Sequence, residues 1–335
     1  MKNYVITIDT GTTNTRTFLW DENRNMIASA SASVGVHDTA IEGNNARLKK
    51  AVHDCIESLL EQGGIGYDDV DKVIACGMIT SNVGLVEVPH VFAPAGKQEL
   101  ADQCVSHLLE DVCPLPILFI PGVKNEVPSV DIDTFEAMDI MRGEEVETIA
   151  ILDAFPAGKP YMMVLPGSHT KFVSVDANGK MTGCLTTMTG ELLDCITNDT
   201  IIADAVGHRF VSEETYDREV MLKGFEAGYS TGLGRAAFST RILNMFTDLD
   251  QDKRANFVLG VALSSDIQCI RNSSALAADP DITVIVSGKN PLRRAIIDIL
   301  KQDGYFKNVE EYIPDSRLPL SAAGSYIIAG CIRNA

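Results

Sequence analysis

Two polar turns hold the densest sets of groups in this sequence able to grip an anion. The first is Asp9-Thr10-Gly11-Thr12-Thr13-Asn14 and the second is Pro166-Gly167-Ser168-His169. In such a turn successive backbone N–H groups and hydroxyls converge on one point, and glycine lets the backbone come close. A single turn of this kind reads as a hairpin connector. Two matched turns, one in each half of the chain, can hold a polyphosphate from both sides. Gly11, Thr12, Thr13 and Asn14 are then the expected contacts on one side, with Gly167, Ser168 and His169 on the other. Asp9 ends a strand-like run and is placed to hold Mg2+ through water, since Mg2+ keeps several of its waters. Arg16 and Lys171 follow the two turns at corresponding places and could offset phosphate charge. The sequence has no G-x-x-x-x-G-K-[ST] loop and no H-R-D and D-F-G pair, and Gly228-Tyr229-Ser230-Thr231-Gly232-Leu233-Gly234 does not fit G-x-G-x-x-G after a strand.

The turns sit inside a longer repeat. Laying Thr170-Lys171 on Thr15-Arg16 also brings Asp176 onto Asp21, Asn178 onto Asn23 and Met181 onto Met26, at a constant offset of 155 residues (171 − 16, 181 − 26). Each copy reads strand, polar turn, strand, Asp-x-Asn turn, strand, and then a helix. The first half continues with a helix through Leu48, Val52, Cys55, Ile56, Leu59 and Leu60, and a buried strand at Val73–Cys76. A helix over Gln98–Leu109, a strand over Ile117–Ile120 and a helix over Gly143–Phe155 follow. The second half predicts helices over Thr189–Val206, across Glu213–Ser274, over Pro291–Leu300 and over Ser321–Ile332, with strands at Ile282–Val286 and Val309–Ile313. Both halves therefore read βββαβαβα, an α/β organisation with extra helices in the second. Pro156, Gly158 and Pro160 mark a boundary between domains 1–156 and 157–335.

Composition agrees with two packed cores. The chain has 335 residues, 45% hydrophobic and 22% charged, which is globular rather than disordered. Its formal net charge of −18 argues against nucleic acid and anionic membranes as partners. A small anionic substrate stays allowed, because the wider field is screened within about 8–10 Å at physiological salt. No run of about 18 apolar residues predicts a membrane span, and the short apolar N-terminal run does not read as a signal peptide. Eight scattered cysteines with no C-x-x-C pair suit reduced thiols in a cytoplasmic protein.

The first turn, continued through Thr15-Arg16, resembles the first phosphate motif of the superfamily that joins actin, Hsp70 and sugar kinases. Gly77-Met78-Ile79-Thr80-Ser81-Asn82-Val83-Gly84, Met141-Arg142-Gly143-Glu144-Glu145, Pro166-Gly167-Ser168-His169-Thr170-Lys171 and Thr187-Met188-Thr189-Gly190-Glu191-Leu192 narrow the likeness to the 2-dehydro-3-deoxygalactonokinase family. Leu85 departs from it, where that family usually has Trp. The resemblance implies two actin-like (ribonuclease H-like) domains around a cleft, with the sugar-acid side in the first and the adenosine side in the second. It implies an ATP- and Mg2+-dependent kinase acting on the 6-hydroxyl of 2-dehydro-3-deoxy-D-galactonate in galactonate breakdown.

Site roles follow from that likeness. Glu144, then Glu145, would take the proton of the attacking hydroxyl at a helix start, where free N–H groups and the helix dipole favour anions. Arg142 would fork onto a substrate carboxylate. Ser81 and Asn82, after a buried strand end, and Glu191, at another helix start, would contact the sugar acid. Ser287 and Gly288 would lie near adenine or ribose. The assembly state is left open, with a homodimer as the form considered. Rival readings are a kinase for another sugar or sugar acid, a phosphohydrolase of the same superfamily, and an ATP-dependent scaffold.

Overall fold

The computed structural model describes residues 3–332. Elements are numbered in chain order. The first sheet runs β3-β2-β1-β4-β7-β6. Its β1 (Tyr4–Thr10), β2 (Thr15–Trp20) and β3 (Met26–Ala32) form an antiparallel meander. β4 (Val70–Gly77) joins β1 in parallel, β7 (Ile117–Phe119) joins β4 in parallel, and β6 (Val105–His107) closes the edge antiparallel.

The second sheet runs β12-β11-β10-β13-β14. β10 (Tyr161–Leu165), β11 (Thr170–Val175) and β12 (Met181–Thr187) repeat the meander, and β13 (Thr283–Val286) and β14 (Asn308–Glu311) extend it in parallel. The repeat read from the sequence is thus a repeat of architecture. β2 and β11 begin and end 155 residues apart (170 − 15, 175 − 20), as do β3 and β12 (181 − 26, 187 − 32).

Helices bury each sheet. α1 (Val36–Glu42) and α2 (Ala46–Gly63) follow β3. Leu48, Val52, Ile56 and Leu59 recur at helical spacing on α2 and pack, fully buried, with Ile6, Ile8 and Leu19 of the sheet. α3 (Lys97–Asp102) and α4 (Glu144–Leu152) complete the first half.

In the second half α5 (Thr189–Asp199), α6 (Ala203–Val206), α7 (Arg218–Thr231), α8 (Leu233–Phe246), α9 (Gln251–Asn272) and α10 (Leu292–Asp303) precede α11 (Leu320–Cys331). Val258, Leu259 and Leu263 of α9 and Ile296 of α10 share a core with Met162, Val164 and Phe172 of the sheet. A separate core joins both sheets through the helices between them. Val146, Ile149 and Ile151 of α4 and Ile328 of α11 pack with Ile74 and Cys76 of the first sheet and with Met163, Val173, Val175 and Ile285 of the second.

Several elements differ from the sequence expectation. The helix expected over Gln98–Leu109 stops at Asp102, and Val105–His107 instead pairs with β7. The helix expected over Thr189–Val206 breaks at Thr200, whose backbone is extended. The long helical region is three helices, broken at Gly232, which has φ +81°, and again before Asp250, which caps α9 by accepting from Lys253 N. A small sheet of β5 (Val91–Phe92), β8 (Val123–Lys124) and β9 (Ile140–Met141) was not anticipated. Finally, α11 leaves its own half to pack on the first sheet, where Ala322 meets Phe18 and Trp20.

Candidate functional site

The strand ends of both meanders face one cleft of about 1000 Å³. One wall carries Asp9, Thr10, Gly11 and Arg16 from the first meander, Gly77 and Met78 after β4, and Arg142, Gly143, Glu144 and Glu147 at the head of α4. The other carries Gly167, Ser168 and His169, the turn after β13 with Ser287 and Gly288, and Lys289. Ligands in open α/β sheets bind outside the carboxyl ends of strands, and β1, β4, β10 and β13 all end here.

Each turn is backed by the element that follows its meander. In the first, Val36 N and His37 N of α1 donate to Gly11 O and Thr12 O at 3.2 and 2.9 Å. Gly35 lies so close that a Cβ on it would stand 2.4 Å from Thr12 O. In the second, Glu191 N of α5 donates to Ser168 O at 3.1 Å, and a Cβ on Gly190 would stand 2.2 Å from Gly167 O. With these carbonyls occupied from behind, the turns are fixed against the helices that support them.

Asp9 is nearly buried, and two groups seat its carboxylate. Arg16 donates to Oδ2 at 2.6 Å, and Ser321 Oγ of α11 donates to the same oxygen at 2.8 Å. The register of the meander explains the first contact, since Asp9 sits opposite Arg16 across β1 and β2.

At the head of α4, Gly143 has φ +118°, a conformation that only glycine adopts without strain. The turn lets Glu145 fold back, so that both carboxylate oxygens accept from Gly143 N at 2.9 and 2.7 Å. Glu145 is fully buried, and burial, then the neighbouring Glu144, pushes its carboxyl up to about 8. Glu144 Oε2 accepts from Arg142 N at 3.1 Å and lines the cleft. Glu147 lies one turn further along the same helix and also lines the cleft. Burial, then the charges of Glu144 and Asp9, raise it to about 8 as well.

Arg142 reaches the cleft wall with its guanidinium already engaged. It donates to Thr80 O at 2.7 Å, to Thr80 Oγ1, to Val88 O at 2.9 Å and to His90 Nδ1 at 3.2 Å. Burial, then the charge of Arg142, holds His90 down at about 4, so its ring is a neutral acceptor at ordinary pH.

The expected residues fall into groups. Asp9, Gly11, Arg16, Arg142, Glu144, Gly167, Ser168, His169, Ser287 and Gly288 line one cleft. Thr12, Thr13 and Asn14 are the exposed tip of the first turn. Glu191 stands beside the second turn, 3.0 Å from His169 Nε2.

Beyond Thr12, Thr13, Asn14 and Glu191, four more expected residues lie outside the lining. Ser81 is buried with its hydroxyl donating to Met78 O, Asn82 is exposed, and Glu145 is turned inward. Lys171 is buried and, unlike Arg16, does not line the cleft. β9 covers that face of β11, and the Lys171 ammonium donates to Ile140 O at 2.7 Å and to Thr186 Oγ1.

Glu147, Lys289, Ser321 and the glycines Gly35 and Gly190 were missed. The glycines were within reach of the sequence, because the same 155-residue offset relates them (190 − 35). Ser321 was not, since its partner lies 312 residues away.

Comparison with known proteins gives these features a context. A family model described as 2-keto-3-deoxy-galactonokinase matches residues 9–311. The chain is 24% identical over 274 residues to 2-dehydro-3-deoxygalactonokinase of Escherichia coli (strain K12), covering 80% of each. Its fold is similar to the crystal structure of a Sinorhizobium meliloti protein described as a candidate 2-dehydro-3-deoxygalactonokinase. The TM-score is 0.75 at 20% identity, over 98% of this chain and 97% of that one. It is also similar, at TM-score 0.52 and 12% identity, to component A of (R)-2-hydroxyglutaryl-CoA dehydratase from Acidaminococcus fermentans, over 99% of this chain and 100% of that one. The two sheets, the shared core between them and the cleft are those of the actin-like ATPase and sugar kinase fold.

Proposed function

The chain belongs to the 2-keto-3-deoxy-galactonokinase family, and on that premise we propose that it moves the γ-phosphate of ATP onto the 6-hydroxyl of 2-dehydro-3-deoxy-D-galactonate. One observation carries the reading: two turns related by the repeat, each backed by a glycine and a following helix, stand on opposite walls of one cleft. Phosphoryl transfer asks for positioning and charge stabilisation more than for covalent chemistry by the protein. Turns whose free N–H groups face the phosphates would meet that demand.

In this reading the turns Gly11–Asn14 and Gly167–His169 hold the phosphates, Arg16 faces their charge, and Ser287 and Gly288 border the adenosine. Lys289, the lining cation beside them with no ion pair among the described residues, is a further candidate for the phosphates. Glu144 receives the proton of the attacking hydroxyl. Arg142, held by Thr80, Val88 and His90, orders the substrate wall and lends its charge to the sugar-acid carboxylate. Lys171 and Glu145, tied up in the interior, serve the scaffold. Mg2+ suits the hard oxygen donors of this wall. Asp9, seated through Oδ2, is the residue to hold it through water, and when bound the ion neutralises charge on the phosphates. The halves, taken as domains 1–156 and 157–335 with α11 seated on the first, would close on the nucleotide and exclude water. A cytoplasmic protein, as a monomer or a homodimer, goes with this reading.

Coupled measurement of ADP release tests it. The expected result is turnover that depends on 2-dehydro-3-deoxy-D-galactonate and is lost in Glu144→Gln. ADP release at the same rate with and without the sugar acid would overturn the kinase reading in favour of a phosphohydrolase. Preference for a neutral hexose would remove the carboxylate role given to Arg142.

A further inference from the structure

A second cavity lies at the other end of α4. α4 begins at the main cleft with Glu144, and its C-terminal residues Ile149 and Leu152 help line a space of about 450 Å³. Cavities of this size suit small ligands. Both halves and the segment joining them contribute: Lys97 and Glu99 come from the first half, Phe155 and Lys159 from the linker, and Lys180 from the turn between β11 and β12.

The charges do not cancel. Glu99 is claimed by Lys180 Nζ at 2.5 Å and by Gly96 N at 2.9 Å. Asp153, the other acid in the lining, is paired with Arg24 at 3.0 Å. Lys97 and Lys159 have no ion pair among the described residues. A chain with net charge −18 therefore keeps two uncommitted ammonium groups around one cavity. Beside the polar Gln98 and Asn178, Leu152, Phe155 and Ile327 give the lining an apolar part, and Phe155 lies 5.8 Å from the ring of Tyr161. Spare positive charge over an apolar, partly aromatic floor matches an anion with a flat or apolar body.

The cavity also adjoins the place where the halves touch. Ala95 and Met181 exchange two backbone hydrogen bonds, at 3.0 and 2.8 Å. Next to them a Cβ on Gly96 would stand only 3.1 Å from Gly179 O. A ligand reaching from Lys97 to Lys159 spans this junction, so its fit depends on how the halves are set. Any ligand that favours one setting shifts the main cleft with it, and the coupling is reciprocal.

We propose that this cavity is a second ligand site, for a small organic anion with an apolar body and a phosphate or carboxylate head, and that its occupancy alters nucleotide use in the main cleft. The binding claim stands without the kinase reading; the coupling claim rests on it.

Calorimetric titration with phenyl phosphate and with benzoate, the main cleft being saturated with Mg-ADP, tests the site. The expected result is saturable binding of one or both, with the tighter probe identifying the head group. Phenol should bind at least about tenfold more weakly, because the lysines supply the recognition. The double variant Lys97→Gln/Lys159→Gln should bind the anion about tenfold more weakly while its basal kinase rate stays within about twofold of wild type. Should the double variant lose basal rate, Lys159→Gln alone, on the exposed linker, carries the same comparison.

Phenol binding as tightly as phenyl phosphate, no saturable binding of either anion, or unchanged affinity in the lysine variant would overturn the site. Coupling is read as a change of about twofold or more in KM for ATP when the better probe is added to wild type, absent in the variant. Binding with no such change would overturn the coupling and leave the site. Failure of sugar-acid-dependent turnover in wild type would count against the kinase reading and leave the binding result intact.

Discussion

Gly35 and Gly190 stand 155 residues apart and do the same thing: each lies against a carbonyl of the polar turn opposite it, where a Cβ would come within 2.4 Å of Thr12 O or 2.2 Å of Gly167 O. These contacts are with backbone, which can yield only by moving the turn. Gly35→Ala and Gly190→Ala should therefore each displace one cradle, at a cost of about 1–3 kcal/mol in stability, as overpacking does. KM for ATP is expected to rise about tenfold or more, with a smaller fall in kcat. Thermal melts and ATP titrations check the pair, and an unchanged KM in both would separate the turns from the nucleotide.

Glu144 and Glu145 are neighbours with opposite surroundings, one lining the cleft and one folded onto Gly143 N. Losing a general base costs about 10²–10⁴ in rate. Glu144→Gln should lower kcat by that range with little change in KM, and Glu145→Gln should keep kcat within about tenfold. Steady-state kinetics of the two variants decide between them. The reverse order of effects would move the proton acceptor to Glu145.

The same Glu145 gives stability a pH dependence. Its folded carboxyl is raised from 4.5 to about 8, so between those pH values the folded chain binds more protons than the unfolded one. Stability from this group is then greatest below pH 4.5, falls as pH rises, and levels off above about 8. The slope is at most about 1.4 kcal/mol per pH unit. Glu145→Gln keeps an acceptor for Gly143 N and carries no ionisable group. The Tm of the variant relative to wild type should rise steadily from pH 5 to pH 8. Parallel Tm curves across that window would contradict the buried-acid assignment.

Ser321→Ala removes one of the two groups seating Asp9. A lost hydrogen bond to a charged group is worth about 1.5–3 kcal/mol, although Arg16 retains its 2.6 Å contact. The expected effect is a fall of about tenfold in kcat and a higher Mg2+ concentration for half-maximal rate. Magnesium titrations of wild type and variant test it, and an unshifted titration would detach Asp9 from the ion.

Much of the fold could be read from the sequence because it is written twice. Strands β2, β3, β11 and β12 come from local alternation and turn chemistry, and the constant offset ties them into one pattern. The elements that were missed lack such local signals. β5, β8 and β9 are two residues long each, too short for any periodicity to register. The repeat also misled at Lys171. Its correspondence with Arg16 is sound in strand position, but β9 lies over one copy only, and no property of the lysine itself announces that cover. Glu147 was passed over because a glutamate in the first turn of a helix ordinarily needs no explanation beyond the dipole. Its burial and the nearness of Asp9, brought by β1, set it apart.

The placement of α11 on the first sheet has a consequence for how the protein comes into being. Ser321, the second support of Asp9, is added 312 residues after it. Domains generally form in order as they are synthesised, yet here the earlier half waits for α11 before its acidic residue is fully seated. Until α11 has been made, the cleft wall that carries Asp9 stands on one of its two supports.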